Sequence, residues 1–427
     1  MRIKNSIKAG MTVAVTLLMA TSMSACGTST PGGGGSSAQD QVTLNALFMD
    51  QAGYSQDQIN SMIDEFTSEN PNIKVNADFV AYEALHDKIV QSAPAGTYDV
   101  VLLDVIWPAE FATSGVVMDV TDRFPASWQN DMLGGAYTTA LYQGKQYGVP
   151  WGPSTKFLYY NKDMIAQVGA TEADLNTWDG VLKVAQELKD QGIVQYPLAW
   201  SWQQAEAVIC DYGQILGAFG GQFTDASGKL DVNNAVGVQA LTWMKQTLDD
   251  GLSNPASTTF LEDDVQKTLA QGQAAFGLNW ESTFSDLQDP SQSTVVGKIG
   301  IIPTPEGPSG ARPGINGAMA LSIGAKSAHP DEAWQLITFL TSQQEQNKYP
   351  TGWLPNWKSS YSDPTITAQA PELFAAAETG YADLIQRPQV PNYNAASAAL
   401  QAEIQNALLG KKTPQKALDD AVAAANA

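Results

Sequence analysis

Hydrophobic positions along this chain switch repeatedly between two periods. Residues 41–48, QVTLNALF, read as a strand. Ser55 and Gln58 then stand at capping-box spacing. Ile59, Met62, Ile63 and Phe66 follow at i, i+3, i+4 and i+7, which predicts an amphipathic helix that Pro71 ends. Residues 73–79, IKVNADF, alternate with period two and predict a second strand, and 82–93 predict a helix. The apolar run Val100, Val101, Leu102, Leu103 predicts a buried strand that stops on Asp104, with Trp107 and Pro108 starting the next helix. A β-α-β-α-β order predicts an α/β domain with a largely parallel sheet.

The middle of the chain repeats the idea with other material. LYQGKQYGVP predicts a hairpin around Gln143–Gly144, and FLYYNKDMI a strand running into a helix. Thr177 precedes a helix that Gly192 stops. YPLAW, AAFGLNW and AMALSI predict strands; residues 203–221, 236–248, 263–271, 329–340, 394–409 and 414–425 predict helices. Trp243 and Trp334 fall mid-helix on apolar faces and are expected in the core. No repeat of solenoid period is present. Two α/β lobes fit this length.

The first 40 residues follow neither period. Arg2, Lys4 and Lys8 open the chain, a short apolar stretch follows, and small residues precede Cys26, the layout of a secretory signal peptide over residues 1–25. The stretch is too short and too rich in Thr and Ser to predict a membrane span. Ser24–Ala25–Cys26 resembles a bacterial lipobox, which implies cleavage before Cys26 and lipid on its sulfur. Residues 26–40, rich in Gly, Ser and Thr, predict a flexible tether. Cys210 is then alone, so no disulfide framework is expected, and AVICDY places it as a small core residue.

Charge narrows the partners. Removing the three basic residues of the start leaves 20 basic against 44 acidic residues, a balance of −24. Such a chain is not expected to bind nucleic acid, or anionic lipid through a basic patch. His86 and His329 have no ligand companions at metal spacing, and no Walker A, G-x-S-x-G or H-E-x-x-H run occurs. No metal, cofactor or catalytic residue is expected. Aromatic residues instead gather in loops and at predicted strand ends: Trp151, Trp200, Trp202, Trp280, Trp353 and Tyr393. Ligands of open α/β sheets bind outside the carboxyl ends of strands. Indole faces suit the C–H face of a pyranose, and ionised Asp, Glu and Arg suit its hydroxyl rim.

Several segments in order carry a family resemblance: YDVVLLDVIWPAEFATSG, YGVPW followed by FLYYNKDMI, QQAEAVICDYGQILGAFGG, AAFGLNW, PDEAWQLITFLTS and IQRPQVPNYNAASAALQAEIQNALLGK. Nearly end to end, the mature chain resembles the extracellular solute-binding proteins of bacterial sugar ABC importers, in particular the trehalose/maltose-binding group. The resemblance implies a two-lobed, type II periplasmic-binding-protein-like α/β fold with several crossings between lobes. The expected first lobe is residues 41–150 plus 320–349; the second is 151–319 plus 350–427. By position, it implies that Asp104 is a sugar-binding aspartate at the end of the third strand. Trp280 matches a stacking tryptophan, Arg387 an arginine bonding sugar hydroxyls, Gly317 a backbone contact and Glu206 a binding glutamate. Gly152, Ser154 and Met319 stand where relatives often carry an aromatic, an aspartate and a tryptophan. Trp151, Trp200 and Trp202 are expected to compensate, with Ser154, Trp353 and Tyr393 completing the candidate set.

The expectation is a monomeric receptor without chemistry of its own, secreted and held by Cys26 on the outer face of a Gram-positive cytoplasmic membrane. Its partners are a neutral di- to tetrasaccharide, an α-glucoside or a raffinose-type α-galactoside first, and the permease subunits of an importer that reads hinge closure. A secreted glycoside hydrolase would carry a similar cleft and is told apart by turnover. A receptor for a non-sugar solute is told apart by a panel in which only cationic ligands stabilise.

Overall fold

The computed structural model describes residues 41–50 and 53–426; the expected signal peptide, Cys26 and the tether lie outside them. Among the described residues no helix is long and apolar enough to cross a membrane.

The opening follows the predicted periods. Strands β1 (Val42–Met49), β2 (Ile73–Val80) and β3 (Val100–Asp104) pair in parallel, with β1 between the others. The helix Gln56–Glu69 between the first two buries Ile59, Met62, Ile63 and Phe66. Ser55 and Gln58 close the expected capping box, a cap that contributes about 0.5–2 kcal/mol. A hairpin of β4 (Leu141–Tyr142) and β5 (Lys145–Gln146) turns at Gln143 and Gly144, both with positive φ, as tight hairpins require. It leads into β6 (Val149–Gly152).

The chain then passes to a second sheet, built from β7 (Lys156–Asn161), β8 (Leu198–Ala199), β9 (Phe276–Trp280) and β10 (Ile299–Ile302) in the order β10-β7-β9-β8. It turns back through β11 (Gly314–Ile315) and enters the first sheet again as β12 (Met319–Ile323). The first sheet is largely parallel, as the opening order predicts, with one exception: β12 runs antiparallel to both β3 and β6. A strand that re-enters from the other lobe arrives at the opposite end of the sheet, which local periodicity does not encode. Late in the chain β13 (Leu384–Ile385) pairs with β11.

Each sheet has its own apolar cluster. Leu47, Phe48, Val100, Leu103, Trp151 and Leu321 centre the first; Leu158, Trp178, Leu198, Trp200, Val208 and Leu278 centre the second. Trp353 and Trp357 pack in the first cluster, so that core reaches past residue 350. Within the helix Tyr393–Leu408, Tyr393 joins the first cluster while Leu400, Ile404 and Leu408 join the second. The fold is thus a two-lobed α/β architecture whose chain crosses between lobes several times.

Candidate functional site

A cavity opens between the two sheets, with about 760 Å³ of space including its open mouth. Met49, Tyr82, Asp104 and Met319 line it from the first sheet's side; Glu206, Leu261, Glu262 and Trp280 line it from the second's. Ser154, Gly317 and Arg387, all on segments linking the sheets, complete its floor.

Asp104 is delivered by the carboxyl end of β3 and is almost fully buried. Its carboxylate accepts from the Tyr82 hydroxyl at 2.8 Å, the Ile106 amide at 3.2 Å and Arg387 Nη2 at 2.9 Å. Arg387 follows β13; its Nη2 and Nε also donate to the Asn316 carbonyl at 3.2 and 3.3 Å, and its Nη1 donates to Glu206 Oε1 at 3.0 Å. Burial works against the guanidinium's charge, but Asp104 and Glu206 outweigh it and raise its pKa. Glu206 opens the helix Glu206–Ala218, where the dipole favours an acidic side chain. It also accepts from the Tyr393 hydroxyl and, at 2.6 Å, from Ser397 Oγ. Asp104, Arg387 and Glu206 therefore form one charge-assisted chain across the floor, fixed by protein partners before any ligand arrives.

Trp280 ends β9 and stays part-exposed in the wall. Its opposing residue in the strand pair is Lys156, whose Nζ lies 5.1 Å from the ring centroid. That ammonium is fully buried, yet Asp211 at 2.7 Å and Glu262 at 3.1 Å hold its charge and raise its pKa against burial. A cation over the indole helps to fix the ring. Gly317 makes room for it: a Cβ there would lie 2.4 Å from the Trp280 ring.

The remaining sequence candidates divide. Ser154 and Trp353 line the cavity. The Trp353 ring occupies the space where a side chain at Gly152 would go, since a Cβ at that position would stand 2.4 Å from the indole. Trp151, Trp200 and Trp202 do not reach the cavity and are corrected to core residues. Trp151 is wholly buried under Trp353 and donates to the Leu340 carbonyl at 3.1 Å. Trp200 and Trp202 stack on each other at 5.3 Å, and Trp200 bonds Ser253. A strand end covered by helices on both faces buries its indoles instead of presenting them. Tyr393 is buried behind Glu206 and acts on the site only through it.

Tyr82, Met49, Leu261, Glu262 and Asp263 were not foreseen. Tyr82 lies just past the carboxyl end of β2, the signal that pointed to Asp104, and was hidden inside a helical pattern. Glu262 and Asp263 carried none. Cys210, expected in the core, is buried at the cavity wall, where burial pushes its thiol up to about 12. Trp107 packs below the site against His86 and Phe111. Among the described residues no group of three or more His, Cys, Asp or Glu is placed to hold a metal.

The family described as bacterial extracellular solute-binding protein matches residues 52–347. A probable ABC transporter-binding protein of Deinococcus radiodurans is 28% identical over 344 residues, 76% of this chain and 79% of that protein. The maltose-bound MalE3 of T. maritima matches with a TM-score of 0.83 and 28% identity, over 90% of this chain and 98% of the other. A solute-binding protein of Thermotoga lettingae bound with alpha-D-tagatose shares the fold, with a TM-score of 0.80 at 24% identity over 90% and 99% of the two chains. More than half of the sequence is covered by the family match: the chain belongs to the bacterial extracellular solute-binding proteins, receptors of ABC importers rather than enzymes.

Proposed function

We propose that the chain is the receptor of a bacterial sugar importer and holds a neutral di- to tetrasaccharide between its lobes. The observation that carries this reading is the pairing, in one cavity, of the part-exposed Trp280 face with the Asp104–Arg387–Glu206 chain. The indole covers the apolar face of a pyranose, and the charged chain orders its hydroxyl rim. Similarity to the maltose-bound MalE3 supports an α-glucoside; a raffinose-type α-galactoside is the next choice. In this reading ligand closes the two lobes on each other and the permease subunits engage the closed form. Cys26 carries lipid and residues 27–40 tether a monomeric receptor to the outer face of a Gram-positive membrane.

Calorimetry against maltose, trehalose, maltotriose and raffinose, with chromatography of the products, tests it. Binding without turnover supports the receptor; cleavage at catalytic rates replaces it with a hydrolase. Glu262 and Asp263 on the lining favour a second reading, a cationic solute, which a thermal shift with amines alone would select.

A further inference from the structure

Behind the wall that carries Trp280 lies a wholly buried cation, Lys156, the first residue of β7. Its ammonium donates to Asp211 Oδ1 at 2.7 Å and to Ser201 Oγ at 2.8 Å, and stands 3.1 Å from Glu262 Oε1. Three acceptors match its three protons. Asp211 lies within the helix Glu206–Ala218 and is almost wholly buried. Its Oδ2 accepts from the Ser201 amide at 3.2 Å and the Ser201 hydroxyl at 3.1 Å. The helix that supplies Glu206 to the floor of the cavity therefore also holds Lys156, through Asp211 five residues on.

Two of the groups that the ammonium meets line the cavity. Glu262 opens the helix Glu262–Ala270, and the centroid of the Trp280 ring lies 5.1 Å from Lys156 Nζ. The backbones of these two residues are joined by Asn279, which is buried. Its Nδ2 donates to the Glu262 carbonyl at 2.9 Å, and its Oδ1 accepts from the Trp280 amide at 2.9 Å. Asn279 thus fixes where the two residues start, and Lys156 meets their side chains. A buried ion pair is a weak stabiliser, since neutral groups of similar volume in its place often cost nothing. Stability alone does not account for an ammonium here; its contact with two lining side chains at once does.

We propose that Lys156 is a positioning residue for ligand binding: its ammonium sets the Trp280 ring and the Glu262 carboxylate in one arrangement, so that an indole face and an oriented acceptor are presented together. This rests on the reading of the cavity as the ligand site. Lys156 touches no ligand and acts through these two residues. Both contacts need its charge, because the ring face attracts a cation and the carboxylate makes its strong bonds to one. An apolar side chain of the same length fills the space and does neither. With one oxygen beside a cation inside the protein, Glu262 meets a ligand as an acceptor for a hydroxyl rather than as a free counter-ion.

Lys156→Met alone leaves Asp211 buried without its cation, so the test combines Lys156→Met with Asp211→Asn, which removes both buried charges. Two measurements on the whole protein follow. In the first, ligand-free protein is labelled with fluorotryptophan, and Trp280→Phe assigns the Trp280 fluorine resonance. The paired variant should broaden that resonance and enlarge its shift between light and heavy water as the ring loosens, while Trp178, buried in the same lobe, keeps its own. In the second, affinity for maltose, maltotriose and raffinose is measured by calorimetry. The paired variant should lose at least about tenfold with Trp280 present, and less than about threefold in a Trp280→Ala background, where the ring it would position is gone. A role in stability alone lowers affinity by the same factor in both backgrounds. An unchanged Trp280 resonance, or equal losses in the two backgrounds, overturns the proposal. If none of the three sugars binds wild type, the sugar reading fails and the fluorine arm still decides the role of Lys156.

Discussion

Arg387 donates to Asp104 across 2.9 Å with both side chains almost wholly buried, so one ion pair joins the end of β3 to the loop after β13. Asp104 is therefore not a lone carboxylate waiting for a sugar. It is one end of a fixed chain through Arg387 to Glu206, and in the proposed function a ligand meets the chain's remaining edges.

That pairing separates stability from binding. Arg387→Ala leaves two carboxylates buried without their cation and should cost about 3–5 kcal/mol in urea unfolding. Arg387→Lys returns a charge without the planar fork and should recover part of the stability but little of the affinity. Asp104→Ala should also destabilise, because Arg387 loses a partner. Equal unfolding midpoints for wild type and Arg387→Ala would contradict the network.

Trp280 gives the cleaner binding test. Trp280→Ala should weaken sugar binding more than tenfold, about 1.4 kcal/mol, in calorimetry. Its ring is part-exposed and packs against the second core rather than within it, so the fold should persist.

Gly317→Ala attacks the same ring from behind. The added Cβ would stand 2.4 Å from the indole, so Trp280 must move. Affinity should fall as in Trp280→Ala with Trp280 still present. Unchanged affinity in both variants would place the ligand elsewhere.

Glu281, wholly buried with Oε2 accepting from Ser154 Oγ and the Thr155 amide, predicts a stability profile independent of ligand. Its folded-state acid titrates near 8 against an ordinary 4.5, so its contribution is full below the lower value and lost as pH rises through the upper. The melting temperature of wild type should fall relative to that of Glu281→Gln across this window, as differential scanning calorimetry would record.

Closure predicts a change of shape. Saturating sugar should reduce the scattering radius of the whole protein, and Trp280→Ala should need more sugar for the same reduction. A radius independent of ligand would remove the hinge from the proposed function.

The sequence by itself determined the local elements, because period-two and period-3.6 patterns are written in neighbouring residues. The capping box at Ser55, the turn at Gln143–Gly144 and the strand ending on Asp104 needed nothing more. It also pointed to Trp280, at the end of a strand that matched a known segment. Only the tertiary structure decided which strand ends face the cavity. Trp200 follows β8 and Trp280 ends β9 in the same sheet, but helices cover one and the space between lobes receives the other. The antiparallel entry of β12, the ring of Trp353 over Gly152, and the meeting of Asp104 with Arg387, 283 residues later, all arise from chain crossings. Such contacts depend on where distant segments return, and no local pattern of apolar and polar residues records that.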